Sequence, residues 1–463
     1  MKRTAVLNVV GLSSSVLGFE TPAINRFFQQ HPHTKILPAF PAVTCTAQSN
    51  YLTGTSPQVH GVVGNGWYNH ELSEVQFWKQ SNHLVAGRKI WEELRAVDPA
   101  FTCAKLFWWY NMYATVDYSI TPRPMYPADG RKVFDIYTAP SSIRMEIKKE
   151  LGEFPFPAFW GPSAGIKSPQ AGRDAVTRWI SQAAQWIEER HHPTLSLVYL
   201  PHLDYNLQRL GPADPLVRKD YQEIDAIVGE LLAFFEKRSI QVIILSEYGI
   251  TCVRQAIHLN RVFREFGWIA IKEELGREIL DCGASPAFAV ADHQVAHIYV
   301  NRPSLLDRVR EAVEALPGVS EVLDKDAQTS RGLGHARSGD LVAVAQEDAW
   351  FTYYYWFDDG RAPDFARCVD IHRKPGYDPV ELFLDPGIRF PLLKIAGKLL
   401  KKKLGFRMLM DVIPLEPSLV RGSHGCLPAS VGNYPVIAGP AVPNVPAIDS
   451  TMVYEVIKEA VAG

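Results

Sequence analysis

Short apolar runs recur along the chain, and each ends in a polar segment that contains glycine. Three of them, Ala5–Val10, Leu195–Leu200 and Val242–Leu245, are rich in leucine, isoleucine and valine. Nearly continuous apolar runs of this length are typical of parallel strands that are buried on both faces of a sheet. We therefore predict that these three runs are central strands of one sheet.

Helical patterns lie between these runs. In Asp174–Glu189 and again in Asp220–Phe235, apolar residues recur every three or four positions, which is the spacing of one face of a helix. Strands that alternate with helices predict an α/β fold with a doubly wound, mostly parallel sheet flanked by helices. Ligands of such folds lie beyond the carboxyl ends of the strands, so functional residues are expected in the polar segments there.

Between residues 255 and 415 the pattern is mixed. Strand-like runs such as Leu341–Ala345 stand beside a helical stretch at Leu305–Leu316. We predict that residues 255–415 form an inserted α+β cap domain. Residues 1–254 and 416–463 then form the α/β core.

Composition and charge narrow the classes of protein. Of the 463 residues, 47% are hydrophobic and 21% are charged, which is typical of a globular protein. The formal net charge is −2, so the chain lacks the overall positive field that a nucleic-acid polymer would need, and no such partner is expected. The composition leaves the oligomeric state open.

The cysteines and the N-terminus bear on the compartment. The six cysteines are widely spaced, which favours free thiols in a reducing compartment. No apolar run approaches the roughly 20 residues that span a bilayer. The N-terminal stretch is interrupted by Asn8 and is interpreted as a first strand rather than a signal peptide. We therefore expect a cytoplasmic protein.

Residues 391–410 differ from their surroundings because leucines alternate with basic residues. The basic residues are Lys394, Lys398, Lys401, Lys402, Lys403 and Arg407. One interpretation is a basic amphipathic helix that makes peripheral contact with an anionic membrane. The other is a helix of the cap whose lysines are solvated.

The most distinctive segment runs from Pro38 to Tyr68, where Thr44 precedes several short motifs at fixed spacing. These motifs are Thr53-Gly54, Pro57, His60-Gly61 and Gly64-Asn65. The arrangement resembles the nucleophile region of the alkaline phosphatase superfamily, specifically its nucleotide pyrophosphatase/phosphodiesterase branch. The resemblance implies the α/β fold of that superfamily, a nucleophilic Thr44, and an Asn65 that donates to a phosphoryl oxygen.

A threonine at the start of a helix suits this chemistry. The run Thr46–Leu52 can form a helix whose N–H groups and dipole favour a phosphate or sulfate group. A threonine hydroxyl is a weak nucleophile, so a metal ion or a base must activate it. The alternative is that Thr44 only caps this helix.

The resemblance also implies two metal sites, and both carry substitutions here. In the site that activates the nucleophile, Val10, Glu247 and Tyr248 stand where the family has Asp, Asp and His. Asn8 lies two residues before Val10 on the same face of the strand. In the other site, Asp204 and His424 match the family's ligands, whereas Gln208 replaces a histidine.

These substitutions change which cations are expected. Zinc prefers histidine, cysteine and carboxylate ligands. Valine cannot bind a metal, and a phenol, which titrates near pH ~10, binds only when ionised. An amide oxygen such as that of Gln208 suits Mg²⁺, Ca²⁺ or Mn²⁺ better than Zn²⁺. We therefore do not expect a complete two-zinc centre; one or two divalent cations (Zn²⁺, Mn²⁺, Mg²⁺ or Ca²⁺), or none, remain open. One alternative is a single hard cation held by Asp204 and Glu247 together with Gln208 or Asn8.

Other charged residues are further candidates for the pocket. His202 lies two residues before Asp204, on the same side of an extended chain, and offers a substitute ligand. The cap contains the carboxylate–histidine pairs Asp292-His293 and Asp370-His372. Basic residues that could hold an anionic substrate are Arg123, Arg131, Arg373 and Lys374.

Two functions are favoured at this point, and an interaction or scaffold protein that uses the basic segment at residues 391–410 is a third possibility. The first is a phosphodiesterase-like or nucleotide pyrophosphatase-like hydrolase that attacks a phosphate ester or anhydride through Thr44, with a remodelled metal site. The second is a catalytically altered or inactive member that binds a phosphorylated metabolite without a two-metal mechanism. In both cases the partner is a small phosphorylated molecule.

Overall fold

The computed structural model describes residues 1–165 and 174–463. Its strands are β1 Thr4–Val9, β2 His33–Leu37, β3 Gly66–Asn69, β4 Glu74–Phe77, β5 Cys103–Leu106, β6 Tyr118–Pro122, β7 Ile136–Ala139, β8 Leu195–Leu200, β9 Gln241–Leu245, β10 Thr251–Cys252, β11 Gln255–Ile257, β12 Ile271–Glu274, β13 Arg277–Leu280, β14 Phe288–Asp292, β15 Val295–Tyr299, β16 Val319–Leu323, β17 Leu341–Ala345, β18 Ala349–Phe351, β19 Gly422–Ser423, β20 Val436–Ala438 and β21 Ala447–Asp449.

The helices alternate with many of these strands. They are α1 Pro22–Gln30, α2 Thr44–Thr53, α3 Pro57–His60, α4 Ile90–Val97, α5 Ile143–Leu151, α6 Phe156–Phe159, α7 Ala175–His191, α8 His202–Leu210, α9 Arg218–Glu236, α10 Leu259–Glu265, α11 Leu306–Glu314, α12 Lys325–Ser330, α13 Pro391–Lys403 and α14 Val453–Ala462.

Within the described residues, the largest sheet has nine strands in the order β21-β2-β20-β9-β1-β8-β5-β6-β7. The three strands predicted from their apolar runs lie together at its centre, because β1 pairs in parallel with both β8 and β9. Asn8 of β1 is opposite Tyr199 on one side and Leu245 on the other. The predicted α/β fold with a mostly parallel central sheet is confirmed.

Amphipathic helices cover this sheet. The helices predicted at Asp174–Glu189 and Asp220–Phe235 are α7 and α9, and they pack against each other. The helix α2 is different, because all ten of its residues are buried, polar ones included. Burial of its threonines, Gln48 and Asn50 requires internal hydrogen-bond partners, which points to a functional region around this helix.

The middle of the chain builds further sheets. Strands β14, β15, β17 and β16 form a four-stranded antiparallel sheet in the part of the chain that the structure describes. After it, β20 and β21 return to the central sheet. The division into a core of residues 1–254 and 416–463 and a cap of residues 255–415 stays a prediction.

The basic segment forms a helix that is shorter than the segment itself. The helix α13 ends at Lys403, and residues 404–410 continue without regular structure. Among the described residues, no helix combines the length and the apolar character that a membrane span requires.

Candidate active site

The candidate site lies where the three central strands end. Val10 follows β1, α8 begins two residues after β8, and Glu247 follows β9 by two residues. Since the parallel strands β1, β8 and β9 are neighbours, their carboxyl ends bring these segments together. The helix α2 begins beside them at Thr44, which makes this edge of the sheet the meeting point of the predicted residues.

Thr44 is the first residue of α2, and its hydroxyl belongs to a buried chain of hydrogen bonds. Its Oγ1 lies 3.0 Å from Oη of Tyr248. The Tyr248 hydroxyl donates to Oδ1 of Asp204 at 3.3 Å, so the Thr44 hydroxyl is left to donate to Tyr248. The chain from Thr44 through Tyr248 therefore ends at a carboxylate.

The ring of Tyr248 lies flat against His424, with 3.6 Å between the ring centroids and 8° between the planes. Nδ1 of His424 is 2.7 Å from the carbonyl oxygen of Ala42, and it must carry the proton because a carbonyl only accepts. Nε2 therefore presents a lone pair. It is 3.9 Å from Oδ1 of Asp204 and has no hydrogen-bond partner among the described residues.

Burial strongly affects the charges of this pair. It raises the pKa of Asp204 to about 6, although hydrogen bonds from Gln208 and Tyr248 oppose the rise. It also lowers the pKa of His424 well below the usual value, and the neighbouring His293 adds to this effect. At neutral pH an ionised Asp204 and a neutral His424 face each other, an arrangement that attracts a cation or a proton.

Glu247 is held by two side-chain amides. Nδ2 of Asn8 donates to its Oε1 at 2.5 Å, and Nε2 of Gln48 donates to the same oxygen at 2.6 Å. Burial raises the pKa of Glu247 to about 8, against the hydrogen bonds from Gln48 and Asn8. Glu247 therefore carries a proton at neutral pH, and Asn8 contacts this carboxyl group through its N–H.

Asn65 connects α2 to the middle of the chain. Its Oδ1 accepts the N–H of Cys45 at 3.0 Å, next to Thr44. Its backbone N–H and its side-chain Nδ2 both donate to the carboxylate of Asp292, at 2.7 Å and 3.0 Å. The expected contact from this amide to a phosphoryl oxygen stays a prediction.

The structure places His202 away from the site, in contrast to the expectation. A helix, α8, begins at this residue, and in a helix residues two apart point about 200° away from each other. His202 therefore turns from Asp204 towards α9, where its Nε2 is 3.2 Å from Glu223 and 3.6 Å from Asp220. Ligand atoms of these three residues lie within 4.8 Å of one another, but they form a separate cluster.

The space in front of Thr44 is small and aromatic. The cavity measures about 10 Å³, close to the minimum for one water molecule. Its walls include Trp78, Trp109, Trp160, Tyr199, His293 and Tyr377. Within residues 1–165 and 174–463 no arginine or lysine lines this cavity, so contact of Arg123, Arg131, Arg373 or Lys374 with an anionic substrate stays a prediction.

Comparison with known proteins identifies the family. The model of the type I phosphodiesterase/nucleotide pyrophosphatase family matches residues 4–378. The chain belongs to this family. An uncharacterized pyrophosphatase/phosphodiesterase of Schizosaccharomyces pombe is 24% identical over 274 residues, which are 56% of this chain and 47% of that protein. This chain thus spans about half the length of its curated relative.

Solved structures show the same fold at low sequence identity. Phosphonoacetate hydrolase from Sinorhizobium meliloti, in complex with phosphonoacetate, matches with a TM-score of 0.60 and 14% identity. Human ectonucleotide pyrophosphatase/phosphodiesterase 5 matches with a TM-score of 0.58 and 14% identity. Each match covers 100% of this chain and 95% of the other.

Type I phosphodiesterases use divalent metal ions, so we tested whether the side chains present fit them. On the nucleophile side they do not. Val10 has no ligand atom, Tyr248 is a phenol whose pKa burial raises further, and Glu247 is already bound by two amides. Both amides bond to Oε1, whereas Oε2 of Glu247 has no hydrogen-bond partner among the described residues. Loss of this metal site stays a prediction.

On the other side the residues do fit one cation. The unpartnered Nε2 of His424 and the carboxylate of Asp204 face each other across 3.9 Å, a spacing that a single ion can bridge. Gln208, the third predicted ligand, uses its Oε1 to accept the hydroxyl of Tyr377 at 2.8 Å. Asp204 and His424 are therefore the pair that would hold a cation.

Two residues of this family member were missed at the sequence level. Gln48 joins Glu247 to the cavity wall, because its Oε1 also accepts the N–H of Trp109 at 2.7 Å. Lys105 is fully buried and donates to the carbonyl oxygens of Trp109 and Tyr110 at 2.8 Å and 2.9 Å. A lysine inside an apolar strand was the available signal, since a buried lysine requires specific partners.

Proposed function

We propose that this chain is a hydrolase of phosphate esters or anhydrides that uses Thr44 as its nucleophile. The observation that carries the proposal is the hydrogen-bond chain from Thr44 through Tyr248 to Asp204. Thr44 also begins a buried helix, whose N-terminal dipole favours an anionic group. The N-terminus of α2 thus attracts a phosphoryl group to a position where the Thr44 oxygen can attack the phosphorus.

In the first step the Thr44 oxygen bonds to phosphorus while the bond to the leaving group breaks. The hydroxyl proton moves along the chain to Tyr248, whose own proton moves to Asp204. With a pKa of about 6, Asp204 is ionised at neutral pH and yet basic enough to accept a proton. Water then cleaves the phosphorylated Thr44 and restores the hydroxyl.

A divalent cation held by Asp204 and His424 would supply positive charge for the phosphoryl oxygens. It would also lower the pKa of Asp204, so this carboxylate accepts the Thr44 proton only when no cation is bound. The remaining stabilisation comes from the chain itself. The N-terminus of α2 points its partial positive charge at the group, and the side-chain amide of Asn65 lies at the same helix end through the bond to Cys45. This arrangement of one cation, a helix N-terminus and an amide differs from a two-metal centre because no metal ion contacts the Thr44 oxygen.

The cavity walls suggest what the phosphoryl group is attached to. Trp78 is packed against both Trp109 and Trp160, with centroid distances of 4.7 Å and 5.1 Å. Faces and edges of such rings bind planar apolar groups. Because the cavity measures only about 10 Å³, these rings must separate to admit a substrate, and a small phosphorylated molecule with a planar group is proposed.

A second candidate is a member that binds such a molecule without hydrolysing it. The observation that favours it is the fit of Tyr248 against His424, since the stacked ring fills the place next to Thr44. A protein that keeps the anion site but lacks the nucleophile-side metal would then act as a binder or catalyse another reaction.

The experiment is an assay with a chromogenic phosphodiester in the presence of Zn²⁺, Mn²⁺ or Mg²⁺, with wild type, Thr44→Ala and Thr55→Ala. Thr55 lies just beyond the other end of the same helix and provides the matched control. Hydrolysis that is lost only in Thr44→Ala supports the first function. Binding of AMP or inorganic phosphate in calorimetry, without turnover under any of the three ions, supports the second.

A further inference from the structure

The helix α13 contacts the rest of the protein through its charged side. Nζ of Lys394 and Nζ of Lys398 pair with the carboxylate of Asp411 at 3.1 Å and 2.7 Å. Ile395, between them on the helix, packs against a small apolar cluster. Lysines that are expected to face water thus hold the helix to the protein.

The opposite side of α13 is apolar and exposed. At about 3.6 residues per turn, Leu392, Leu393, Leu399 and Leu400 fall on one side of the helix. Leu392 is 74% exposed and Leu393 is 71% exposed, and the other two are more than half exposed. A surface helix normally turns such a face inward, so this orientation indicates a binding surface.

Neighbouring exposed aromatic residues enlarge this surface. Phe390 and Phe406 flank the helix and are exposed. The loop at residues 123–134 lies beside it, because Lys402 Nζ is 3.5 Å from the carbonyl oxygen of Lys132. That loop exposes Tyr126 and Phe134, and aromatic side chains of this kind favour the interface between water and lipid.

The charge of this surface selects the partner. Lys401, Lys402, Lys403 and Arg407 are exposed, and the stretch from residue 386 to residue 410 contains neither Asp nor Glu. A second copy of the chain would present the same positive charge and be repelled. An anionic lipid surface matches both groups of side chains. Its negative headgroups attract the basic residues, and its acyl chains bury the leucines.

We propose that α13 and the adjoining loop at residues 123–134 form a docking surface for an anionic lipid bilayer. The helix lies in the plane of the membrane with its leucines inserted between the headgroups and its basic residues at the headgroup level. The docked surface is next to the aromatic cavity, since Phe134 stacks on Phe156 at 4.6 Å and the same short helix α6 carries Phe159 of the cavity wall.

The test is co-sedimentation of the full chain with vesicles, and no substrate is needed. One vesicle preparation contains phosphatidylcholine alone, and the other contains phosphatidylcholine and phosphatidylserine in equal parts. The variants are Leu399→Ser with Leu400→Ser, and the triple Lys401→Glu, Lys402→Glu, Lys403→Glu. Matched controls on other exposed positions are Leu72→Ser with Leu216→Ser, and Lys149→Glu, Lys219→Glu, Lys237→Glu.

The expected result is that wild type and both controls sediment with the anionic vesicles, more weakly as salt rises. The charge variant loses about a hundredfold in affinity, since three basic contacts are removed, and the leucine variant loses at least about tenfold. Absence of wild-type binding to anionic vesicles overturns the proposal. The proposal is also overturned if the wild type is a dimer that does not bind vesicles and that the leucine variant dissociates. A second copy of the chain would then cover the leucine face of α13.

Discussion

The hydroxyl oxygen of Tyr248 lies 3.0 Å from the hydroxyl oxygen of Thr44. Tyr248 occupies the sequence position where the family's motif has a metal-binding histidine. A phenol at this position replaces a metal contact with a hydrogen bond. The same ring is fixed from behind by the flat stack on His424. In the proposed mechanism the substitution changes how Thr44 is activated, while Thr44 keeps its position at the start of α2.

The first prediction concerns the Tyr248 hydroxyl. In Tyr248→Phe we expect kcat of phosphodiester hydrolysis to fall by about 10² to 10⁴, because the proton of Thr44 loses its path to Asp204. Phenylalanine keeps the stacking on His424, so KM and thermal stability should change little. Tyr205→Phe, which removes another phenol from the cavity wall, serves as the control, and an unchanged kcat in Tyr248→Phe would exclude the proposed path.

The second prediction concerns metal content. All proteins in this comparison carry His202→Ala, which removes a ligand atom from the separate cluster with Asp220 and Glu223. Elemental analysis after incubation with Zn²⁺ or Mn²⁺ should then find no more than one ion per chain, because Val10, Glu247 and Tyr248 do not form a site. The combined variant Val10→Asp, Glu247→Asp, Tyr248→His restores the family's ligands and should bind two. Two tightly bound ions in the protein with His202→Ala alone would contradict the account. His424→Ala, without the three restoring substitutions, should remove the single ion that is held with Asp204.

The third prediction is a pH dependence of stability. The pKa of Glu247 rises from 4.5 in the unfolded chain to about 8 in the folded protein. Between these values the folded state holds a proton that the unfolded state has lost, so the free energy of unfolding falls as pH rises, by at most about 1.4 kcal/mol per pH unit.

Glu247→Gln isolates this contribution, since the amide has the shape of the protonated acid and does not titrate. Urea unfolding at several pH values from about 5 to 8 should show that the variant gains stability relative to wild type as pH increases. A difference between the two proteins that is constant over this range would show that Glu247 titrates normally.

The fourth prediction concerns Asp292, which accepts two hydrogen bonds from Asn65. Asp292→Ala leaves two buried N–H groups of Asn65 without acceptors, at a cost of about 2 to 5 kcal/mol in the free energy of unfolding. Asp292→Asn retains one acceptor and should lose less. Denaturant unfolding measures both, and equal stability of the two variants would indicate that the Asn65 contacts contribute nothing.

Most of the fold was predictable because its central strands are buried on both faces. Leu195–Leu200 and Leu341–Ala345 have the same bounds in the structure as in the apolar pattern. The ends of helices were less accurate, as at α2, where the predicted Thr46–Leu52 begins two residues late. The first turn of that helix is held by the side chain of Asn65 and other distant contacts, which periodicity does not reveal.

The site was predictable only where spacing determines position. Asp204 follows the predicted central strand β8. Thr44 and His424 were located by motif spacing alone, and the structure brings both close to Asp204 through Tyr248 and directly. His202 was misplaced because a helix begins there and turns it towards α9. The aromatic cavity could not be predicted, since its walls come from distant parts of the chain and an aromatic residue in a sequence is more often part of a core.

The most direct test of the account is mass spectrometry of protein that is quenched with acid during turnover of a phosphodiester. The account predicts a peptide containing Thr44 that carries the added phosphoryl or phosphodiester group in wild type and lacks it in Thr44→Ala. Turnover that continues in Thr44→Ala, with no modified residue in either protein, would contradict it.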